Sequence, residues 1–234
     1  AIVGAPACAA DPVCSRLVNH TAMMGLIELL HASQMVLFPT TNSGYGVGED
    51  GIYCTEESPL NPVSHYGKTK VDAESIIMES GNGIALRLAT VFGTSPRMRL
   101  DLLVNEFVYK ALTDKYITIF EREAVRNYIH IRDVARVFRF GIDNFNYMKG
   151  QAFNVGLSTA NLTKMQLCEK IKDHVPAFEI YVSTMGKDPD QRDYVVSNQK
   201  LESFGWVPTY TLDNGITELV KGYQIVKPNI YANA

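Results

Sequence analysis

Two short apolar runs, Met35-Val36-Leu37-Phe38 and Ile84-Ala85-Leu86-Arg87-Leu88-Ala89, constrain this chain more than anything else in it. Neither alternates apolar with polar residues, so each reads as a strand buried on both faces. The first, within Gln34 to Thr40, is closed by Pro39. Helical stretches flank them. Asp11 and Pro12 form an N-cap and N1 pair, and Leu17, Val18, Met24, Ile27, Leu29 and Leu30 supply apolar positions as far as about His31. Asn61 and Pro62 repeat that pattern and open a helix to about Ser80, stopped by Gly81-Asn82-Gly83. Strands apolar on both faces and alternating with helices imply a parallel sheet covered on two sides, hence an α/β fold.

The opening Ala1-Ile2-Val3-Gly4-Ala5-Pro6 reads as the end of a further buried strand running into a loop, and Gly44 to Pro62 reads as a long loop. After Gly93 the rhythm changes. Helices are expected at Leu100 to Leu112, Arg132 to about Asp143, Asn161 to His174, Asn198 to Phe204 and Leu212 to Tyr223. Strands are expected at Tyr116 to Phe120, Asn127 to Ile131, Ala152 to Val155 and Phe178 to Val182. No internal repeat or low-complexity linker interrupts the chain, so Gly93 marks a change of role within one compact body.

Composition narrows the partners. With 46% hydrophobic residues the chain can fill a core, and 22 basic against 25 acidic residues leave no excess of positive charge for a phosphate backbone. Nucleic acid is not an expected partner. No apolar run nears the roughly 18 residues that span a bilayer, and the N-terminus has no basic n-region, so a cytoplasmic location without membrane contact is expected. The four cysteines form no CxxC pair and the five histidines no HxxxH pair; neither a metal site nor a disulfide framework is expected. The sequons at Asn19 and Asn161 carry no weight without a secretory signal.

Gly46-Val47-Gly48-Glu49-Asp50-Gly51 is a literal GxGxxG after an expected strand. A dinucleotide fingerprint needs a helix N-terminus directly after its glycines to meet the pyrophosphate. Ile52-Tyr53-Cys54-Thr55-Glu56-Glu57-Ser58-Pro59 starts no such helix, and its acids would repel phosphate, so the segment is a loop.

The residues that carry chemistry are in Tyr66-Gly67-Lys68-Thr69-Lys70, where Tyr66 and Lys70 share one helix face. An ammonium one turn away favours the phenolate, which lets Tyr66 exchange a proton with a substrate hydroxyl. Thr40-Thr41-Asn42-Ser43-Gly44-Tyr45-Gly46 stands at the carboxyl end of a buried strand, where open parallel sheets place ligands. A hydroxyl at Thr41 followed by Tyr66 and Lys70 resembles the extended short-chain dehydrogenase/reductase superfamily, and within it the NAD-dependent nucleotide-sugar epimerase and dehydratase branch.

The resemblance runs along the whole chain, including Leu86-Arg87-Leu88-Ala89-Thr90-Val91-Phe92-Gly93, similar to a family strand often reading LRxxNVYG, and Arg126-Asn127-Tyr128-Ile129-His130-Ile131-Arg132-Asp133-Val134-Ala135, similar to RDFIHVDDVA. It implies Thr41, Tyr66 and Lys70 as catalytic residues, with NAD as cofactor touched by Asn19, Tyr66 and Lys70. It implies a nucleotide-diphosphate sugar touched by Thr90, Asn105, Arg126 and Arg192, with Thr90 standing where the family often has an asparagine. Two separated guanidinium forks suit a diphosphate. The implied architecture is a partial Rossmann-type doubly wound sheet: residues 1–93 as the remainder of the NAD-binding domain, and 94–234 mainly as the sugar-nucleotide region with segments returning to the sheet. Family members open with a glycine-rich βαβ unit, and none precedes Ala1, so the chain is expected to be a fragment that binds NAD weakly by itself. The intact enzyme is expected to be a homodimer.

Family dehydratases commonly follow the catalytic Thr or Ser with an Asp-Glu or Ser-Glu pair, whereas this chain has Asn42-Ser43. Neither side chain ionises near neutral pH, so an epimerase acting through a 4-keto sugar is expected. The alternatives are a dehydrogenase, reductase or dehydratase of the same superfamily, or a non-catalytic sugar-nucleotide-binding module.

Overall fold

The computed structural model describes residues 1–31, 33–49, 51–185 and 192–225. In chain order, α1 (Ala5–Ala10), α2 (Pro12–Arg16), a π turn (Leu17–Thr21) and α3 (Ala22–Leu29) lead into β1 (Val36–Thr41), followed by a 3-10 turn (Asn42–Tyr45), β2 (Tyr53–Cys54), α4 (His65–Glu79), β3 (Gly83–Leu88) and β4 (Thr90–Phe92). Next come α5 (Leu103–Thr113), β5 (Tyr116–Ile119), β6 (Val125–His130), α6 (Ile131–Asp143), α7 (Phe145–Met148) and β7 (Gln151–Val155). The last elements are β8 (Asn161–Thr163), α8 (Lys164–His174), β9 (Glu179–Val182), β10 (Val195–Val196), α9 (Gln199–Ser203) and α10 (Leu212–Ile225). No helix among the described residues is long and apolar enough to cross a membrane.

The central sheet is parallel, in the order β1-β3-β7. Its register brings Thr41 beside Leu88 and Leu88 beside Val155, so three strands end at one level. That carboxyl edge is where such a sheet can hold a ligand, because the chain leaves each strand there in an adaptable loop. One core, with Ile84, Leu86, Val137, Phe153, Val155 and Trp206, lies on this sheet. A second, with Phe92, Val104, Phe107, Ile171, Phe178 and Leu219, fills the space between α5, α8, α10 and the sheet β4-β6-β8.

Several expected boundaries shift for local reasons. Residues 1–3 form no strand, and α1 begins at Ala5 with Pro6 in its first turn, where a missing N–H costs nothing. Pro39 does not close β1 but lies within it; β1 ends the described strand order, and an edge tolerates a residue without an N–H. Helix α4 is capped by Ser64, not Asn61: Ser64 Oγ accepts from Gly67 N at 3.1 Å. The Asn61 carbonyl packs against Gly46, where an added Cβ would meet it at 2.0 Å. Asn161 opens the short strand β8, because its amide pairs with both backbone groups of Val196, at 2.9 and 3.0 Å. Helix α8 then starts behind Thr163 and Gln166, which form a capping box. After Gly51 comes β2 rather than a helix, as the loop reading of the glycine cluster requires; Asp50 lies outside the described residues.

Candidate active site

Thr41 is the last residue of β1, and its Oγ1 accepts from Ser43 N at 3.1 Å, which caps the 3-10 turn. That turn lies under the first turn of α4. Gly67 makes the approach possible, since a Cβ there would stand 2.9 Å from Pro62 Cβ and 3.3 Å from Ser43 O. Tyr66, its neighbour, is thereby carried over the end of β1 beside Thr41. The two line a cavity of about 190 Å³ with Val3, Gly4, Ala5, Thr40, Ser43, Leu88, Ala89, Thr90, Val91, Arg99, Leu102, Arg192 and Tyr194. Thr40 Oγ1 is buried without a hydrogen-bond partner among the described residues.

The phenol of Tyr66 is pushed up to about 12 by burial, against the fields of Arg192 and Arg99 and a hydrogen bond from Thr41. Lys70 is 4% exposed, with Nζ 4.0 Å from the centroid of the Phe38 ring. Burial lowers it to about 8, and the Glu74 carboxylate opposes that shift. The ammonium of Lys70 thus lies on an aromatic face, and the fields that favour the phenolate at Tyr66 include those of Arg192 and Arg99.

Four of the other residues singled out by sequence fall into two groups. Thr90 and Arg192 line the cavity. Asn19 and Asn105, each 2% exposed, have their amides engaged with backbone. Asn19 Oδ1 accepts from Ile2 N at 2.7 Å and its Nδ2 donates to Ile2 O at 2.8 Å, which fixes the segment that brings Val3 and Gly4 to the cavity. Asn105 accepts from Gly93 N at 3.1 Å and donates to Arg99 O at 3.0 Å, which holds the loop carrying Arg99. Arg126 is buried, with its guanidinium 6.0 Å from the Tyr194 ring. Arg192 Nη1 donates to Ser43 Oγ. The two residues before it, Asp190 and Gln191, lie outside the described residues.

Three features escaped the sequence reading. Arg99 stands two residues after Arg97 in an irregular loop, and nothing in the sequence distinguishes the cation that faces the cavity. A second cavity of about 610 Å³ is lined by Val47, Glu121, Arg122, Glu123, Ala124, Val182, Ser183, Thr184, Asp193 and Arg192, so Arg192 borders both spaces. Beneath the site, Arg87 donates to Glu74 through Nη2 at 2.7 Å and Nε at 2.9 Å, and to Tyr45 Oη at 2.9 Å, while Tyr45 donates to Asn154 Oδ1 at 2.7 Å. This buried network ties α4 to β3, β7 and the 3-10 turn. Its joining of four separate elements could be found only from the fold.

The sequence profile described as "NAD dependent epimerase/dehydratase family" matches residues 1–156. Over 190 residues the chain is 25% identical to the low-salt glycan biosynthesis protein of Haloferax volcanii, covering 79% of this chain and 60% of that protein. It is 23% identical to the UDP-glucose 4-epimerase of Corynebacterium glutamicum, covering 82% of this chain and 64% of that enzyme. The chain thus spans less than two thirds of either relative. Among solved structures, the UDP-glucose 4-epimerase of Thermus thermophilus in complex with NAD superposes with a TM-score of 0.80 at 22% identity, covering 95% of this chain and 75% of that one. The dTDP-glucose 4,6-dehydratase of Bacillus anthracis in complex with NAD gives 0.78 at 24% identity, covering 90% and 68%. These likenesses establish a Rossmann-type α/β fold.

Proposed function

Because this chain belongs to the NAD dependent epimerase/dehydratase family, we propose that it carries the proton-transfer and sugar-nucleotide end of an NAD-dependent nucleotide-sugar epimerase. Residues 1–93 then belong to the cofactor domain, and 94–234 mainly to the sugar-nucleotide region.

Tyr66 and Thr40, which line the cavity, and Lys70, one helical turn beyond Tyr66, fit the nicotinamide-ribose end of NAD. Lys70 Nζ makes no hydrogen bond or ion pair among the described residues, and the orphaned Thr40 Oγ1 lies at the same strand end; a ribose has hydroxyls to offer both. Tyr66 and Lys70 would hold that ribose. When bound, NAD supplies the hydride acceptor and donor and a positive charge near the phenol. Tyr66 takes the proton from the sugar hydroxyl and later returns it, while Thr41 donates to the same oxygen and fixes its orientation. Arg192, at the meeting of the two cavities, and the buried Arg126 take the diphosphate, with the sugar on the Tyr66 side and the nucleotide in the larger cavity.

The observation that carries the epimerase reading is the lining of the Tyr66 cavity, which contains no carboxylate among the described residues. A 4,6-elimination of water needs a second acid and base beside the tyrosine, and Asn42 and Ser43 cannot supply one near neutral pH. Oxidation at one carbon followed by return of the hydride needs only Tyr66 and Thr41. The experiment is Tyr66→Phe in the protein expressed with whatever coding sequence precedes Ala1. Single-turnover conversion falls by about 10²–10⁴-fold, with sugar-nucleotide affinity nearly unchanged. A loss below about tenfold would remove Tyr66 from the role of base.

A further inference from the structure

We infer that the larger cavity is a guanine site, and that the carboxylate of Glu121 selects a guanosine-diphosphate sugar over its pyrimidine counterparts. The inference rests on the reading that places the nucleotide in that cavity, and it adds which base the cavity takes. The cavity is polarised. Arg192 stands where it borders the Tyr66 cavity, and the rest of its charged lining is mainly acidic, with Glu121, Glu123 and Asp193 against Arg122. Arg122 is itself paired, its Nε 2.8 Å from Glu123 Oε1, and Asp193 Oδ1 accepts from Val125 N at 2.9 Å. Glu121 differs from both, because its carboxylate makes no hydrogen bond among the described residues. Lys164 Nζ lies 4.0 Å from Glu121 Oε2, beyond hydrogen-bond reach, and donates to Phe120 O at 3.3 Å. The ammonium thus steadies the charge and leaves the lone pairs of both oxygens open.

The bases differ in what they offer such a group. A planar carboxylate accepts at two oxygens and matches two N–H donors side by side. Guanine carries that pair on one edge, at N1 and the 2-amino group. Uracil and thymine have a single N–H between two carbonyl oxygens, and cytosine has an amino group beside an unprotonated ring nitrogen, so each turns at least one lone pair toward the carboxylate. Pyrimidine carbonyls need donors, whereas Arg122 is held by Glu123 and Ser183 Oγ gives its proton to Met185 O at 2.9 Å. The lining also has faces for a ring: Val47 and Val182, 60% and 44% exposed, are apolar side chains that a base laid on them would cover. The backbone at Glu121 is left-handed, with φ of 49°, where a residue other than glycine is uncommon. Glycine would sit there more easily, and the side chain found in its place is the one with open acceptors.

The test is calorimetry on the protein expressed with whatever coding sequence precedes Ala1, saturated with NAD so that nucleoside diphosphates are kept from the cofactor site. GDP binds at least about tenfold more tightly than UDP, CDP or dTDP, and inosine diphosphate, which keeps the N1 proton and lacks the 2-amino group, falls between. Glu121→Gln presents an amide that accepts at one atom only; it removes most of the GDP advantage and leaves the affinity for inorganic pyrophosphate unchanged, which also shows that the variant is folded. Equal affinity for the four bases, a preference for a pyrimidine, a GDP preference that survives in Glu121→Gln, or an equal loss of GDP and pyrophosphate in that variant would overturn the assignment. The place of the diphosphate is judged separately: Arg192→Gln weakens pyrophosphate binding by about tenfold or more. Unweakened binding would remove Arg192 from the diphosphate site, while the comparison of bases in the unmodified protein still decides the base.

Discussion

Lys70 is a buried ammonium whose near neighbour is the face of Phe38, an arrangement that the folded state maintains at a cost. Its value falls from 10.5 in the open chain to about 8 in the fold, so between those limits the folded protein binds fewer protons than the unfolded one. Stability from this group therefore rises as pH climbs from 8 to 10.5, and below 8 the full penalty, of order 3 kcal/mol, is present. Lys70→Met should raise stability at pH 7 by about 1–3 kcal/mol, and urea denaturation should show the advantage shrinking toward pH 10.5. Parallel pH profiles for the two proteins would contradict it. A side chain that costs stability where it stands is the kind that function retains. Tyr66 complements it: burial keeps the phenol protonated at neutral pH in the chain by itself, so ionisation must be assisted by what binds beside it.

Among the elements, α4 matters most, because it delivers both Tyr66 and Lys70. Its orientation is fixed by Glu74, one turn beyond Lys70, in a buried pair with Arg87 of β3 at 2.7 Å. Arg87→Met leaves the Glu74 carboxylate buried and uncompensated, which should cost about 3–5 kcal/mol in denaturant titrations. Pairing it with Glu74→Met should recover much of that loss; a double variant no more stable than Arg87→Met would place the energy elsewhere. The long apolar strands and the helices with strong start signals were legible in the sequence because periodicity and capping are local. Strands of two or three residues, such as β2, β4, β8 and β10, were not, since tertiary pairing defines them and no period fits within them. The same division applies at the site. Thr41 and Tyr66 by type and order, and Thr90 and Arg192 through the family resemblance, could be picked from the sequence, and all line one cavity. The two asparagines had the right type and place, but the amides of Asn19 and Asn105 are occupied by backbone, which sequence cannot reveal.

For the molecule as a whole, the sheet core and the C-terminal core meet along β4, β6 and α10. Gly215 of α10 lies against Phe92 and His130, where a Cβ would stand 2.1 Å from Phe92 Cε2, and Glu218 accepts from Thr94 N at 3.1 Å. Gly215→Ala should therefore lower stability by about 1–3 kcal/mol through overpacking, seen as a lower Tm. An unchanged Tm would mean that α10 shifts at no cost. The same contact steadies the loop that carries Arg99 to the cavity, so this helix acts on the site without touching it. The reaction itself is best examined through its products. The protein, expressed with whatever coding sequence precedes Ala1, is incubated with NAD and separate UDP-, GDP-, CDP- and dTDP-hexoses, and products are resolved by NMR and by absorbance of NADH. Interconversion of two hexose epimers with no net NADH is the expected result. A stable 4-keto-6-deoxy sugar would contradict it, because that product requires an acid and base that the described cavity lining does not contain.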